Sequence, residues 1–344
     1  AIYGDVENEK KNQEEINHTN SLKNKVNKVD VSLIRVEETE DEDVKCDCFI
    51  DLSRYERQDI LNKCSTYKIC QIRERETQNQ FAAFMSMYKI KQISKEEAEN
   101  LSNELKVISQ LNHPSLLKFV GFSLTDFKKE RKPVIVTELV SNGSLEQILE
   151  LEKNDIKING WDSTKKLINI YGIASGMACM HSHGVIHRCL KPSNIYLDEI
   201  LLPKIGDFGL MTQFCMSDSM THQSISGETG SPVYTAPEVL EANACSKSMD
   251  VYSFSFVVYE ILTNEKPFSE TDKASQIYQK VVMKGERPVI KENIPRRFKT
   301  LIEECWSQDP NQRPTFDDIV YQLRMDDQFI TLILLFNFIY RMHI

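Results

Sequence analysis

The sequence predicts an α+β fold in which a strand-rich first part precedes a helix-rich second part. Between residues 60 and 140, apolar residues alternate or cluster in short β-branched runs, which is typical of strands. After Ser144, apolar residues recur at spacings of three and four almost to residue 324, which is typical of helices. We therefore expect two lobes, a small β-rich one over residues 51–140 and a larger helical one over residues 141–326.

The first 50 residues are predicted to form a disordered, acidic arm. Up to Phe49 they hold seven Lys and Arg against thirteen Asp and Glu, and an acidic run covers residues 37–43. Few large apolar side chains are present to offset the entropy of ordering such a segment. A docking tail for a basic partner is the alternative, although charge runs are usually just solvated.

Within the small lobe, the clearest strands are predicted over residues 67–72 and 80–90. A helix is predicted over residues 96–111, because its apolar residues share one helical face. Those residues are Ala98, Leu101, Leu105, Ile108 and Leu111. Two further strand-like runs, over residues 116–122 and 133–140, complete the small lobe.

Helical periodicity dominates the large lobe. The predicted helices cover residues 145–151, 163–182, 248–263, 275–284, 296–307 and 315–324. A short tail over residues 327–344 follows, and its apolar run over 329–340 is shorter than the roughly 17–25 residues that a bilayer span needs. We expect the tail to dock on the large lobe or on a second copy of the chain; a membrane anchor and an abnormal terminus are the alternatives.

Composition and charge narrow the class of protein. The 344 residues carry a formal net charge of −9 with a pI near 5.4, which counts against a general nucleic-acid binder. The nine cysteines are scattered, and no signal-peptide pattern stands at the start. Both features favour reduced thiols and a cytoplasmic location.

The strongest motif covers residues 187–194 and reads His-Arg-Cys-Leu-Lys-Pro-Ser-Asn. It resembles the catalytic loop of protein kinases, H-R-D-L-x-x-x-N, with Lys191 where serine/threonine kinases keep a lysine. Arg188 and Lys191 then match the loop's catalytic positions. Cys189 departs from the pattern, because it stands where kinases have the aspartate that accepts the proton of the substrate hydroxyl.

Eight further landmarks of that family follow over about residues 53–324. They are Glu104, Asn112-His113-Pro114, Thr137-Glu138-Leu139-Val140, Asp207-Phe208-Gly209, Gly230-Ser231-Pro232, Ala236-Pro237-Glu238, Asp250 and Arg313. The amino-acid sequence of residues 305–316 is most similar to that of the tyrosine-kinase-like branch of serine/threonine kinases. The resemblance implies a bilobal protein-kinase fold, ATP and Mg²⁺ as cofactors, an Asp250 that braces the catalytic loop and an ion pair between Arg313 and Glu238.

The departures from the family cluster where the nucleotide is expected to bind. Asn62, Cys64 and Tyr67 replace the glycines of the phosphate-binding loop, whose bare N–H groups must approach the phosphates closely. Phe84 replaces the lysine that grips the phosphates and pairs with Glu104. Loss of one positioned donor lowers a rate by about 10²–10³, and loss of a general base lowers it by about 10²–10⁴.

Other positions of the site are kept. Asn194 and Asp207 retain the two Mg²⁺-ligand positions, and both offer oxygen donors suited to that ion. The resemblance places six further residues around the nucleotide, three of them in the hinge segment 137–140: Ile69, Ala82, Thr137, Glu138, Val140 and Tyr196. Tyr196 stands where the family usually has a leucine under the adenine. We expect it to narrow the base pocket; the alternative is a ring that swings into solvent.

Three further hypotheses concern residues that could compensate for the lost lysine and aspartate, and regulation by phosphorylation. Lys89 or Lys91 could replace the lost lysine, although both lie beyond the strand's expected end. A nucleophilic Cys189 activated by His187 is disfavoured, because the family's histidine packs inward. An upstream kinase could phosphorylate the activation segment, and the phosphates would then pair with Arg188. The alternative is that the many hydroxyl residues of this segment only make it soluble. Its hydroxyl residues are Ser217, Ser219, Thr221, Ser224 and Ser226.

Together these observations predict a pseudokinase that acts in signalling as a scaffold or allosteric regulator of protein partners. A weakly active serine/threonine kinase that transfers the γ-phosphate of ATP to protein hydroxyls is one alternative. An ATP-binding switch without turnover is the other. The retained Asp207, Asn194 and Lys191 favour the alternatives, whereas the lost glycines, lysine and aspartate count against turnover and against binding of ATP and Mg²⁺. We expect no nucleic-acid binding and no membrane partner.

Overall fold

The computed structural model describes residues 48–63, 67–91, 93–207, 232–242, 245–271 and 273–325. Over these ranges an antiparallel sheet comes first and a mainly helical part follows, so the predicted two-lobed α+β fold is confirmed. Several predictions fall outside the described residues. They concern the acidic run over 37–43, Cys64, residues 208–231 with their serines and threonines, and the tail over 327–344.

The small lobe is built on one five-stranded antiparallel sheet with the strand order β1-β2-β3-β5-β4. Its strands are β1 (Tyr55–Lys63), β2 (Tyr67–Glu74), β3 (Gln80–Ser86), β4 (Phe119–Ser123) and β5 (Val134–Glu138). A short 3₁₀ turn, Leu52–Arg54, leads into β1. The last pair of β1 and β2 joins Lys63 to Lys68, in the part of the sequence that aligns with the phosphate-binding loop of kinases.

Alternation along β2 and β3 gives the sheet two buried faces. Ile69 pairs with Phe84 across these strands, and both belong to the main core that the sheet shares with the large lobe. Cys70 pairs with Ala83, and both belong to a second, smaller core that includes Leu52. The face that carries Ile69 and Phe84 is therefore the one turned toward the large lobe.

Two strand boundaries differ from the prediction. β3 ends at Ser86 instead of residue 90, because the Ser86 hydroxyl donates to the carbonyl of Tyr88 and accepts its N–H, which turns the chain out of the sheet. β1 begins at Tyr55, before the first residue predicted as strand, and most of its side chains are exposed. A strand with so little buried surface has no apolar alternation to reveal it.

The acidic arm was predicted to end at residue 50, but it ends earlier in the chain, because residues 48–50 already pair with the sheet. Phe49 bridges Phe122 of β4 in parallel; the Ile50 N–H donates to the Phe122 carbonyl at 2.9 Å, and the Phe122 N–H donates to the Cys48 carbonyl at 2.8 Å. Gly121 permits the approach, since a Cβ there would lie 2.3 Å from Ile50. This segment covers an edge of the sheet that would otherwise present unpaired backbone groups.

The small lobe also contains the predicted helix, α1, which covers Lys95–Gln110. Ser94 begins it with a reciprocal capping box, in which its hydroxyl accepts the Glu97 N–H and the Glu97 carboxylate accepts the Ser94 N–H. Leu105 and Ile108 are fully buried, as the apolar spacing predicts. Glu104 lies on the same helix and is half-buried.

The large lobe is mainly helical, as predicted. Its helices are α2 (Leu145–Lys153), α3 (Ser163–Ser182), α4 (Pro237–Ala242), α5 (Lys247–Thr263), α6 (Ala274–Tyr278), α7 (Arg296–Cys305) and α8 (Phe316–Arg324). Short 3₁₀ turns cover Pro192–Asn194, Pro232–Tyr234 and Pro310–Gln312. Helix α5 is buried from Met249 to Ile261 and forms the centre of the lobe. Among the described residues, no helix is long and apolar enough to cross a membrane.

Two features of the large lobe were not predicted. The helix expected over residues 275–284 is divided, since α6 gives way to a π-helical turn over Gln279–Met283 that keeps both Ile277 and Val281 buried. A two-stranded ribbon, β6 (Ile195–Leu197) with β7 (Pro203–Ile205), lies directly after the catalytic loop. Strands of three residues are too short to show a period in the sequence.

A buried carboxyl on α5 predicts a pH-dependent stability. Glu260 accepts a hydrogen bond from the Tyr234 hydroxyl, and burial raises the pKa of its carboxyl to about 7. The folded state thus holds a proton that the unfolded state releases near its usual pKa of about 4.3. We expect the free energy of unfolding to fall, as pH rises from about 4 to about 7, by an amount on the order of 3 kcal/mol.

Glu260→Gln keeps the oxygen that accepts from Tyr234 and removes the titration. Chemical denaturation at about pH 5 and about pH 8 should therefore show a smaller loss of stability in this variant than in the wild type. Glu265→Gln is the matched control, because Glu265 is exposed and pairs with Lys291 at the surface. Equal losses in all three proteins would contradict the assignment to Glu260.

Candidate functional site

The catalytic loop is held by a buried carboxylate from α5. Asp250 accepts the N–H of His187 and that of Arg188, each at 2.8 Å, and its Oδ2 lies 2.9 Å from Nε2 of His181. The His187 ring points inward, and its Nε2 donates to the Gly206 carbonyl at 2.7 Å. Burial lowers the pKa of His187, so its ring is neutral. Asp250 thus braces the loop as the resemblance implies.

Cys189, which the resemblance places at the position of the catalytic base, lies beside Asn194, one of the two predicted metal ligands. Its carbonyl accepts a hydrogen bond from Nδ2 of Asn194 at 2.8 Å, and its sulfur lies 3.3 Å from that nitrogen. Nδ2 of Asn194 also lies 3.3 Å from Oδ2 of Asp207. Nδ1 of His187 accepts the Cys189 N–H, so both ring nitrogens of His187 are engaged and neither can activate the thiol.

The Tyr67 side chain reaches from β2 across the cleft to the catalytic loop. Its hydroxyl donates to Oδ1 of Asn194 at 2.8 Å, and both side chains are buried. Oδ1 is the atom with which an asparagine binds a metal ion. With Nδ2 bonded to the Cys189 carbonyl, both ends of the Asn194 amide are occupied by protein groups.

Phe84 lies behind Tyr67 and is 2% exposed. Its ring centroid lies 5.7 Å from that of Tyr67 and 5.7 Å from that of Tyr196. We call these three side chains the aromatic wall. Tyr196 is buried, so its ring has not swung into solvent; it fits under the sheet because Gly206 has no Cβ, which would lie 3.0 Å from the ring.

A cavity of about 600 Å³ lies between the lobes beside the hinge segment, and we call it the hinge cavity. Seven of the predicted nucleotide-binding residues line it: Asn62, Ile69, Ala82, Phe84, Glu138, Val140 and Tyr196. The catalytic-loop and metal positions do not line it; these are Arg188, Cys189, Lys191, Asn194 and Asp207. The predicted site residues therefore fall into two groups with the aromatic wall between them.

The remaining predicted residues lie around the cavity without lining it. Thr137 is buried, and its hydroxyl donates to the Glu138 carbonyl. Glu104 lies on α1, and Phe84 stands on β3 where the resemblance implies a lysine. Lys89 forms an exposed ion pair with Glu130 at 3.4 Å, so it does not take the place of the missing lysine.

Part of the lining of the hinge cavity was not predicted from the sequence. Gln147, Ile148 and Leu151 of α2 line its outer end. Helical periodicity marks Ile148 only as a core residue and gives no signal for the other two. Lys204 was also missed; its ammonium group lies 2.9 Å from the Glu138 carboxylate and connects the hinge with β7.

The ion pair implied for Arg313 and Glu238 is present and bidentate. The two guanidinium nitrogens donate to the two carboxylate oxygens at 2.7 and 2.8 Å, and the Arg313 side chain is 0% exposed. Arg313 also donates to the carbonyls of Ser248 and Ser307 and lies over the Tyr252 ring. The pair connects α4 to the loop before α8.

Known proteins are similar to this chain in sequence over most of its length. The family described as protein tyrosine and serine/threonine kinase matches residues 61–323. Dual specificity protein kinase pyk3 of Dictyostelium discoideum is 36% identical over 258 residues, which are 73% of this chain and 18% of that protein. Serine/threonine-protein kinase STY17 of Arabidopsis thaliana is 31% identical over 242 residues, which are 70% of this chain and 39% of that protein.

The aligned part is thus a minor share of each relative's length, and the same holds for probable serine/threonine-protein kinase drkC of Dictyostelium discoideum. That protein is 36% identical over 229 residues, 65% of this chain and 28% of its own length. The family match covers both lobes, the catalytic loop and the Arg313–Glu238 pair. This chain belongs to the protein tyrosine and serine/threonine kinase family.

Proposed function

We propose that this chain is a pseudokinase of the tyrosine-kinase-like branch, which transfers no phosphoryl group and acts in signalling as a scaffold or allosteric regulator. The observation that carries the proposal is the hydrogen bond from the Tyr67 hydroxyl to Oδ1 of Asn194. A metal ion would have to displace this bond to reach its ligand atom. The residue that creates the obstacle is itself one of the three that replace glycines.

ATP and Mg²⁺ do not fit the residues on the inner side of the aromatic wall. Phe84 fills the position of the phosphate-binding lysine with an apolar ring in contact with Tyr67 and Tyr196. None of these three rings offers a positive charge to the phosphates. Phosphates bound there would be buried anions without a partner, which is strongly disfavoured. The inner side of the wall therefore supports no catalytic step through the nucleotide.

The position of the general base supports the same proposal. A carboxylate accepts two or more hydrogen bonds and takes a proton readily, whereas a thiol is a weak acceptor. The Cys189 sulfur lies 3.3 Å from the Asn194 amide nitrogen. The loss of the base removes a contribution to the rate of about 10²–10⁴, and the loss of the lysine removes a second of about 10²–10³. The loss of the loop glycines removes a third contribution, the close approach of the backbone to the phosphates.

A weakly active serine/threonine kinase is the second candidate. Asp207 and Asn194 still lie 3.3 Å apart, Lys191 is retained, and the relatives bear the names of protein kinases. An ATP-binding switch without turnover would need the same two metal positions. Both candidates require the Tyr67–Asn194 hydrogen bond to break.

Transfer of the γ-phosphate of radiolabelled ATP to the chain itself and to a general protein substrate tests the proposal. Asp207→Asn is the matched control, because it removes the charge of a metal position and reports any contaminating kinase. We expect equal, background incorporation in both proteins. Incorporation in the wild type that clearly exceeds that of the variant would overturn the proposal. Protein partners, an upstream kinase and a cytoplasmic location belong to the same proposal and are tested by isolating the chain from its own cell.

A further inference from the structure

We propose that the acidic run of this chain, residues 37–43, docks on a basic patch of its own small lobe. The patch lies on the segment that follows β3 and on the turn between β4 and β5. It is formed by six side chains: Lys89, Lys91, Lys128, Lys129, Arg131 and Lys132. The proposal does not depend on the proposed function, because these six residues belong neither to the lining of the hinge cavity nor to the catalytic loop.

Backbone hydrogen bonds hold the two parts of the basic patch side by side. The Ser86 N–H donates to the Pro133 carbonyl at 2.9 Å, and the Ile90 N–H donates to the Arg131 carbonyl at 2.8 Å. The segment after β3 therefore runs along the β4–β5 turn. The basic residues of both are brought to the same end of the sheet.

Positive charge exceeds negative charge on the basic patch. Glu130 is shared by two of its lysines, since its carboxylate lies 3.4 Å from the Lys89 ammonium group and 2.8 Å from that of Lys132. Asp126 is buried, and its carboxylate accepts the N–H groups of Lys128 and Glu130 within the turn. These two carboxylates offset only part of the six positive charges. An exposed excess of one charge attracts a segment of the opposite charge.

The chain enters the small lobe beside the basic patch. The Ile50 N–H donates to the carbonyl of Phe122 on β4, the strand that leads into the basic turn. Ile50 and Phe127 of that turn pack against the same small core. The next residue, Asp51, lies close enough to Lys129 for the lysine to attract its carboxylate. The acidic run therefore precedes a segment that already lies against the patch.

The acidic run has the charge and the reach to occupy the basic patch. It holds six carboxylates in seven residues: Glu37, Glu38, Glu40, Asp41, Glu42 and Asp43. Residue 43 stands five positions before Cys48, and residue 37 stands eleven positions before it. At about 3.3–3.6 Å per residue, these two can lie up to about 18 Å and about 40 Å from Cys48. The turn that begins directly after β4 is within that reach.

Attachment to the same chain compensates for the weakness of exposed ion pairs, each of which contributes little by itself. A short connection gives a tethered segment an effective concentration of about 1 mM at its site. A contact with a Kd of about 1 mM as a separate peptide would thus be formed about half of the time within the chain. A separate acidic partner would have to compete with the run, so the arm acts as a cover for this surface.

Carbodiimide cross-linking of the full chain tests the proposal, because the reagent joins carboxylates to lysines in contact with them. We expect links within one chain from residues 37–43 to the lysines of the basic patch. These links should fall severalfold at about 1 M salt, where charges are screened beyond about 3 Å. A mixture of isotope-labelled and unlabelled chain separates links within one chain from links between two. Links mainly to lysines of the large lobe, or mainly between two chains, would overturn the proposal.

Charge reversal within the basic patch locates the docking site. Lys128→Glu with Lys129→Glu should lower the links from the run to the three lysines that remain in the patch about fivefold or more, because like charges then face the run. Lys284→Glu with Lys291→Glu is the matched control, since both are exposed lysines of the large lobe, and it should leave those links unchanged. Equal yields in the two variants would contradict the docking site.

A labelled peptide with the sequence of residues 35–45 distinguishes a separate acidic partner from the chain's own run. In one variant the six acidic residues of the run are replaced by the corresponding amides. We expect this variant to bind the peptide about fivefold or more tightly than the wild type does, because the run no longer competes. Equal affinity for the two chains would mean that the run does not occupy the patch, and would overturn the proposal.

Discussion

Replacing Arg313 with methionine is expected to lower the free energy of unfolding by about 3–5 kcal/mol, because it leaves the Glu238 carboxylate charged without its guanidinium partner. The Arg313 side chain is fully buried, and it also donates to the carbonyls of Ser248 and Ser307. Those two acceptors would lose their partner as well. Urea denaturation of the wild type and the variant measures the difference.

Lys291→Met is the matched control for Arg313→Met. Lys291 pairs with Glu265 at the surface, where both side chains are about half exposed. Surface ion pairs contribute about 0–1 kcal/mol, so this variant should change stability little. The double variant Arg313→Met with Glu238→Gln should lose less than the sum of the single losses. A loss under about 1 kcal/mol for Arg313→Met would show that the pair does not hold the lobe together.

The second large effect is expected at Asp250. Asp250→Asn preserves the shape of the side chain, but its amide nitrogen must face one of the N–H groups of His187 and Arg188 that the carboxylate now accepts. One buried donor then lacks an acceptor, and the charge that strengthened both bonds is lost. We expect a loss of about 2–4 kcal/mol in the free energy of unfolding.

Hydrogen exchange locates the effect of Asp250→Asn. The amides of His187 and Arg188 should exchange faster in the variant, while those of α1 should lose only the protection that follows from lower global stability. Asp309→Asn is the control, because Asp309 is an exposed cap that accepts the Asn311 N–H. Unchanged protection of His187 and Arg188 in Asp250→Asn would mean that Asp250 does not position the catalytic loop.

The parts of the fold that could be predicted from sequence are those with a local or repeated pattern. The apolar spacing of α1 and its Ser94–Glu97 capping box define a helix without any tertiary information. The long helix α3 was predicted with its observed bounds for the same reason. The Arg313–Glu238 pair was predicted from the family's motifs, although no local pattern joins residues that far apart.

The residues of the candidate site were predicted from the sequence, but their arrangement in space was not. Tyr67 and Asn194 are 127 positions apart, and only the packing of the two lobes brings the hydroxyl to the amide. The contact of Phe84 with Tyr196 likewise depends on how β3 sits over β6. The sequence identified each substituted residue one at a time. It could not show that the aromatic residues among them form one wall and divide the cleft.

Binding of Mn²⁺ with ATP, followed by electron paramagnetic resonance, tests most directly whether the aromatic wall separates the metal positions from the nucleotide. Mn²⁺ takes the same oxygen ligands as Mg²⁺. We expect no bound Mn²⁺ signal in the wild type. In the double variant Tyr67→Gly with Phe84→Lys the inner side is open again, and we expect a bound Mn²⁺ signal. A stoichiometric Mn²⁺ signal in the wild type that disappears in Asp207→Asn would contradict the closed site and favour an active or nucleotide-sensing kinase.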